Sequence, residues 1–275
     1  MTSASASYRF ELGRFEILVV KDGAGGRRPL SDLVEDVPED LIERDIFMEG
    51  GLMVVDTPDA RFLIDAGNGP NRWPRTHAAE TAFEEEGIPP ESIDTVLLTH
   101  GDPDHISGLL TRDGTLVYPN AHYVLHIDLW RALNSDPSAG LYFAAQEDFV
   151  HQLAARIEGR STLIEAEREV WPGIRAIPAR GHRIGHTVYR LDSEDNVLFH
   201  IGDAAFDPLF LERPELVIPA EYKPAQASAT RAVIARRALT ENALIVGSHF
   251  EVANVGRLER ATGDETYRWI PWGPR

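Results

Sequence analysis

Two histidines and two aspartates stand within six residues of one another, directly after an apolar run. The stretch VLLTHGDPDH contains His100, Asp102, Asp104 and His105. Imidazole nitrogens and carboxylate oxygens are ligands that a protein can offer to Zn, Fe, Mn or Co. Residues two apart in an extended segment point the same way, so His100 and Asp102 can face one ion, while Asp104 and His105, past Pro103, turn toward a second. A bound divalent ion lowers the pKa of water to roughly 7, which supplies a nucleophile without serine or cysteine.

Further acidic and imidazole side chains stand at the ends of other apolar runs. They occur in RFLIDAG, RAIPARGHRIGH, VLFHIGD and LIVGSH, and they are Asp65, His182, His186, Asp203 and His249. Because a rigid strand fixes the loop that follows it, strand ends are common places for functional groups. A single Gly-His or Gly-Asp pair occurs often by chance, whereas five such segments in order do not. We therefore expect these segments to converge on one metal centre.

The composition excludes several other functions. The 275-residue chain has a formal net charge of -17 and no cysteine. The charge argues against nucleic-acid and anionic-membrane partners, which require clustered Lys and Arg. The lack of cysteine excludes disulfides, thiolate ligands and a cysteine nucleophile, and it fits a cytoplasmic location. No apolar run approaches the roughly 20 residues of a membrane span, and residues 1–7 are expected to form a loose tail, not a signal peptide.

Strand hairpins alternate with helices in both halves of the chain. The patterns predict hairpins over 52–67 and 186–203, buried strands within 92–100 and 243–249, and helices over 76–88, 139–159 and 228–239. Ser228 or Thr230 is the predicted N-cap of the last helix. Residues 21–50 are predicted to form a loop-rich insertion that could serve as a pocket lid or an interface. We expect residues 1–275 to form one α/β domain in which two sheets pack together with helices outside.

The five segments together resemble the metallo-β-lactamase-fold superfamily. The pattern of that family is an aspartate after a strand, then H-x-H-x-D-H, Gly-His, Gly-Asp and a late histidine. LIDAG, THGDPDH, ARGHRIGH, HIGDAA and GSHF match it in order. Within the superfamily, FEILVVKDG, LIDAGNG and the helix before LIVGSHF look most like the lactonase and organophosphate-hydrolase branch, which includes methyl parathion hydrolase. The resemblance implies a four-layer αββα sandwich with two divalent metal ions, zinc before others, at one edge.

The resemblance also implies a role for each residue. The implied ligands are His100, residue 102 and His182 for the first metal, and Asp104, His105 and His249 for the second. Asp203 would bridge the two ions, and Asp65 would orient ligands through hydrogen bonds. Asp104 and Asp203 are the predicted catalytic residues. His186, four residues after His182, is expected to pack beneath the site or to orient its neighbour.

Two positions depart from the family pattern. Asp102 replaces the second histidine, and it could coordinate as a carboxylate, which shifts preference toward Fe or Mn. It could instead turn away and leave the first site weak, and the sequence leaves both options open. Phe206 stands where lactone-cleaving relatives often carry a tyrosine that helps to polarise the carbonyl. Tyr222 or Lys223 could substitute for that tyrosine, and Trp73 could line an apolar pocket beside the metals.

The metal-site residues together with the resemblance favour a metal-dependent hydrolase of an ester-like bond, namely a lactone, carboxylic ester or phosphotriester, in a small and fairly apolar molecule. One alternative is a mononuclear-iron oxidoreductase similar to persulfide dioxygenases, with His100, His182 and Asp203 as ligands. Another is a non-catalytic metal-binding protein. The expected partners are a small-molecule substrate and, as in relatives of this branch, a second copy of the chain in a homodimer.

Overall fold

Two seven-stranded sheets face each other in the computed structural model, which describes residues 7–23, 25–69, 78–135, 147–251, 255–260 and 266–273. The strands in chain order are β1 (Ser7–Leu12), β2 (Phe15–Lys21), β3 (Gly26–Pro29), β4 (Asp45–Met48), β5 (Gly51–Asp56), β6 (Arg61–Ile64), β7 (Thr95–Leu97), β8 (His122–His126), β9 (Ser161–Ile164), β10 (Arg168–Trp171), β11 (Ile174–Pro178), β12 (Thr187–Ser193), β13 (Asn196–His200), β14 (Leu244–Val246), β15 (Gly256–Arg260) and β16 (Tyr267–Pro271). The α-helices are α1 (Ala78–Glu85), α2 (Pro103–Ile106), α3 (Ile127–Leu133), α4 (Glu147–Ile157), α5 (Leu209–Glu212) and α6 (Pro224–Thr240).

The strand order divides each sheet into a meander and a parallel part. The first sheet has the order β1-β2-β5-β6-β7-β8-β9, antiparallel as far as β6 and parallel from there on. The second has the order β10-β11-β12-β13-β14-β15-β16, with β13 and β14 as its parallel pair. Segment 21–50, predicted to be loop-rich, contains the antiparallel pair β3 and β4 and two short 3-10 turns.

Both faces of the first sheet are buried, which explains its continuous apolar runs. In β2, Leu18 and Val20 pack into the core shared with α1, α3 and α4, whereas Ile17 and Val19 pack into the core between the sheets. Successive side chains of a strand point to opposite faces, so one apolar run supplies both cores. A third core lies between the second sheet and helices α5 and α6. These layers confirm the predicted αββα sandwich.

Two hydrogen bonds tie the sheets together close to the metal-site loops. The backbone N–H of Thr187 donates to the carbonyl of Thr99 at 2.8 Å. The Tyr189 hydroxyl donates to the carbonyl of Leu98 at 2.9 Å. Both bonds connect β12 with the segment that follows β7, so the loops of the two sheets are held in a fixed relation.

The structure corrects the predicted start of the last helix. Helix α6 begins at Pro224 with Lys223 as N-cap, one turn before the predicted caps. Proline is well suited to the first helical position, because an N–H group there makes no hydrogen bond within the helix and its absence costs nothing. The Ser228 hydroxyl instead donates to the carbonyl of Pro214, and that of Thr230 to the carbonyl of Arg180. Both predicted caps therefore attach the helix to neighbouring loops.

The other predicted hairpins and buried strands are present, at β5–β6, β12–β13, β7 and β14. Part of the predicted helix over 139–159 lies outside the described residues, and α4 accounts for the rest. Within the described ranges, no helix is both long enough and apolar enough to cross a membrane.

Candidate metal centre

Five strands bring the predicted residues to one edge of the sandwich. In the first sheet, β6 and β7 are parallel neighbours, and Asp65 and His100 follow their carboxyl ends. In the second sheet, β11 and β13 both run antiparallel to β12, and β14 is parallel to β13. These three strands therefore run the same way, and the loops after them carry His182, Asp203 and His249. Strand direction explains why residues distant in the chain meet here.

The carboxylate of Asp203 lies at the centre of the cluster. Its Oδ2 atom is 3.0 Å from Nε2 of His249 and 3.6 Å from Nε2 of His182. Oδ2 is also 3.9 Å from Nε2 of His100, and Oδ1 is 3.4 Å from Nε2 of His105. One buried carboxylate facing four imidazole nitrogens suits a ligand shared between two metal ions.

Three sets of donor atoms could each hold an ion. Within each set the donor atoms lie within 4.8 Å of one another, and the sets are His100, Asp102 and His182; His100, His105 and Asp203; and Asp104, His105 and His249. Five buried nitrogen or oxygen atoms of these described residues have no hydrogen-bond partner, namely Nε2 of His100 and His105, both ring nitrogens of His182, and Oδ1 of Asp203. An unpaired buried polar atom costs about 1–3 kcal/mol, so these atoms call for a further partner. Divalent transition metals fit this set of nitrogen and oxygen donors.

Asp102 belongs to the first of these sets and also contacts Arg183. Its Oδ2 atom is 3.7 Å from Nε2 of His100. Nε of Arg183 donates to both carboxylate oxygens, at 2.8 Å to Oδ2 and 3.0 Å to Oδ1. Asp102 has extended backbone angles and caps α2, whose first turn carries Asp104 and His105. The helix start therefore separates the two halves of the cluster, and Asp102 stays on the side of His100.

Asp65 lies directly behind His105. Its Oδ2 atom is 2.7 Å from Nδ1 of His105, and its carboxylate accepts hydrogen bonds from the backbone N–H and hydroxyl of Thr99 at 2.8 and 2.7 Å. The φ angle of Asp65 is 60°, in the left-handed region that is uncommon for residues other than glycine. A carboxylate in this place fixes the imidazole ring and leaves Nε2 directed at the metal pocket.

His186 lies beneath the cluster and uses both ring nitrogens. Nδ1 is 3.0 Å from the carbonyl of Ala179, and Nε2 is 3.1 Å from the backbone nitrogen of Asp203. Nδ1 therefore donates and Nε2 accepts, so neither nitrogen is available to a metal. The ring holds the Asp203 loop in place.

The glycines of the Gly-His and Gly-Asp pairs are required by close approach. Gly202 has a φ of 53°, and a Cβ atom there would lie 2.8 Å from Nε2 of His186 and 3.1 Å from Cβ of Thr99. Gly181 has a φ of 129°, and a Cβ atom there would lie 2.2 Å from the backbone nitrogen of Ala227. Any side chain at either position would displace the loop that carries His182 or Asp203.

The sequence prediction missed a buried ion pair behind His182. Oε1 of Glu221 is 3.5 Å from Nδ1 of His182 and 3.1 Å from Nη2 of Arg231. The side chains of both residues are at most 1% exposed. Arg231 also donates to the carbonyls of Ala204 and Leu216. The sequence contains one indication of this pair. Arg231 is a charged residue at helical spacing among the buried residues of α6, which are Ala227, Ile234, Ala235 and Ala238.

The predicted pocket residues have different positions. Phe206 packs edge-on against His182 and His249, with ring centroids 5.5 and 5.4 Å apart, so it covers both halves of the cluster. The side chains of Tyr222 and Lys223 are exposed, and they line a surface pocket together with Arg183. Their backbone N–H groups bond to the carbonyls of His182 and Gly181. Trp73 lies outside the described residues.

Burial and the surrounding carboxylates shift the pKa values of the histidines in opposite directions. Burial lowers the pKa of His100 and His182 well below the usual range, so both rings are neutral. Burial acts in the same direction on His105, but the charges of Asp203, Asp65 and Asp104 together raise its pKa. The pKa of Asp203 is held well below its usual range because His249 and His105 outweigh the effect of burial. The central carboxylate is therefore ionised.

Solved structures similar to this chain include metal-dependent hydrolases. AidC, a dizinc quorum-quenching lactonase, has a TM-score of 0.82 at 18% identity, and the match covers 98% of both chains. The hydrolase AbOPH has a TM-score of 0.82 at 23% identity, covering 100% of both chains. A probable metal-dependent hydrolase from Staphylococcus aureus has a TM-score of 0.77 at 19% identity, covering 97% of this chain and 100% of that one. At these identities the likeness shows the shared fold. No functionally curated protein sequence matches the chain.

A family model adds a finding at the level of sequence. The model of the Metallo-beta-lactamase superfamily matches residues 52–249, which include the strand ends that carry Asp65 and His249. The match spans most of the chain and agrees with the observed sandwich. The chain therefore belongs to the metallo-β-lactamase superfamily.

Proposed function

We propose that the protein is a hydrolase of an ester-like bond in a small molecule and that it works with two divalent metal ions. His100, Asp102 and His182 would hold one ion, and Asp104, His105 and His249 the other, with Asp203 between them. The observation that carries the proposal is the convergence of four imidazole nitrogens on Asp203. When bound, divalent ions supply an activated water and polarise a carbonyl or phosphoryl oxygen.

Three carboxylates, those of Asp104, Asp65 and Glu221, have further roles in the proposed reaction. The side chain of Asp104 is 22% exposed, whereas that of Asp203 is 4% exposed. Asp104 can therefore meet both the substrate and the solvent, and we assign it the orientation of the attacking water and the transfer of a proton to the leaving group. Asp65 bonds to Nδ1 of His105 and keeps that ring aligned, and the carboxylate of Glu221 faces Nδ1 of His182 at 3.5 Å.

Phe206 provides an apolar wall against the centre. Its ring lies between His182 and His249 and offers no hydroxyl to a carbonyl oxygen. This favours substrates with an apolar group next to the scissile bond and a good leaving group, such as aryl esters and phosphotriesters. Lactones remain in the proposed substrate class because lactonases such as AidC share the fold.

The completeness of the second set favours hydrolysis over the oxidation chemistry of a single iron. An iron site built from His100, His182 and Asp203 would leave Asp104, His105 and His249 without a role, although these three donors lie within binding distance of one another. In the two-metal proposal, each of these three residues has a role as a ligand of the second ion.

The proposal can be tested with zinc-loaded protein and a panel of a lactone, an aryl carboxylic ester and a phosphotriester. We expect hydrolysis of at least one class, and its loss in Asp104→Asn, which keeps the size of the side chain but cannot accept a proton. Asp195→Asn, in the exposed turn between β12 and β13, is the matched control and should retain activity. Oxygen uptake with a thiol or persulfide, without hydrolysis, would replace the proposal with the oxidoreductase alternative.

A further inference from the structure

We propose that Arg183 makes the two metal pockets unequal, so that the set Asp104, His105 and His249 binds its ion first and more tightly. The inference rests on the metal centre proposed above and adds an order of loading to it. Its origin is the contact of Arg183 with Asp102, a residue of the first pocket.

The guanidinium of Arg183 is fixed beside the first pocket. Nε donates to both oxygens of Asp102, and Nη1 donates to the carbonyls of His182 and Ala220 at 2.9 and 3.1 Å. Its side chain is only 11% exposed, so water screens the charge little. A divalent ion in the first pocket would therefore share Asp102 with a cation that repels it.

A second guanidinium acts on the same side of the cluster. Glu221 stands behind His182, and Arg231 is in contact with its carboxylate at 3.1 Å. Asp102, in the first pocket, and Glu221, behind its histidine, are thus each paired with an arginine. Their negative charge is largely cancelled before a metal arrives.

The carboxylate behind the second pocket has a different environment. Asp65 contacts His105 and accepts hydrogen bonds from the N–H and hydroxyl of Thr99, both of which are neutral donors. Neutral donors orient a carboxylate without cancelling its charge. Asp65 would therefore still attract an ion bound by His105.

Calorimetric titration of metal-free protein with Zn²⁺ tests the order of loading. We expect two binding steps whose dissociation constants differ by about tenfold or more. Arg183→Gln should tighten the weaker step by about tenfold and leave the tighter one unchanged. Arg180→Gln removes the same charge from an exposed side chain nearby and should change neither step. Two steps with equal dissociation constants in the wild type would overturn the proposal. So would a first pocket in Arg183→Gln whose affinity for Zn²⁺ is unchanged or lower.

Three further variants extend the test, and the first two keep it valid if Arg183→Gln alone is unstable. Asp102→His leaves Arg183 without its carboxylate. We expect the first pocket of this variant to bind Zn²⁺ more weakly than the first pocket of Asp102→His/Arg183→Gln. Equal affinities in these two variants would refute the role of Arg183. His249→Ala should remove the tighter step, and loss of the weaker step would contradict the assigned order. Since the titration needs no substrate, protein that loads in this order without hydrolysing esters would refute the proposed function alone.

Discussion

The Nε2 atom of His249 lies 3.0 Å from Oδ2 of Asp203, although 46 positions separate the two residues in the chain. The contact joins the loops after β13 and β14, which are parallel neighbours. It brings the last histidine of the cluster to the carboxylate that also faces His100 and His182. Both proposed pockets therefore depend on one side chain.

Asp203→Asn should disable both pockets without unfolding the protein. The amide keeps the shape of the side chain but removes the charge that four imidazoles face, so we expect activity to fall at least about a hundredfold. Initial rates on the best ester substrate, at saturating zinc, measure the loss, and circular dichroism checks the fold. Activity within a few-fold of the wild type would show that Asp203 does not bridge metals.

Phe206→Tyr should shift the substrate preference toward lactones. The new hydroxyl would lie against the rings of His182 and His249, where it can donate to a developing oxyanion. We expect kcat on a lactone to rise about tenfold relative to kcat on a phosphotriester. Phe149→Tyr is a suitable control, because Phe149 is half-buried on α4 and packs against a different core. Equal changes on both substrates would argue against this role of position 206.

Arg231→Met should strongly destabilise the protein, because it leaves the buried carboxylate of Glu221 without its cation. Breaking one side of a buried pair costs about 3–5 kcal/mol. Replacing both partners, in Arg231→Met/Glu221→Leu, should recover much of that loss. Arg236→Met, on the exposed face of the same helix, is the control. Urea unfolding measures all three, and similar values for Arg231→Met and Arg236→Met would contradict the importance of the pair.

The contribution of His186 and His200 to stability should fall as the pH drops from about 6.5 toward 4. Burial lowers the pKa of His200 to about 4 and that of His186 to about 4. In this window the unfolded chain takes up protons that the folded chain does not, so each histidine reduces stability by up to about 1.4 kcal/mol per pH unit. His200→Gln should reduce the slope of the unfolding free energy against pH by up to the equivalent of one bound proton. Unfolding of wild type and variant at several pH values gives both slopes, and parallel slopes would contradict the assignment.

The residues of the cluster and the sandwich were predictable because both depend on local patterns. Apolar runs define the strands, and a loop at the end of each strand carries His100, His182 or Asp203. The orientation of Asp102 was not predictable, since Arg183, which contacts it, is 81 positions away. The same holds for Glu221, whose partner His182 lies on another loop. Contacts between loops depend on how the two sheets pack, and local sequence patterns do not reveal that packing.

The start of α6 shows a different limit. Ser228 and Thr230 have side chains typical of N-caps, but tertiary hydrogen bonds to Pro214 and Arg180 use both hydroxyls. The helix extends back to Pro224 because the loop after Glu221 already positions the chain, with Lys223 N–H bonded to the carbonyl of Gly181. Tertiary contacts thus override the local preference for a cap.

The most direct test of the account is the number of metal ions that the chain holds at equilibrium. Metal-free protein would be dialysed against excess zinc and analysed by elemental mass spectrometry, with ester hydrolysis measured on the same sample. The account predicts two zinc ions per chain and activity that requires both. A single ion per chain at saturation with full activity, or activity only with one iron and oxygen, would contradict it.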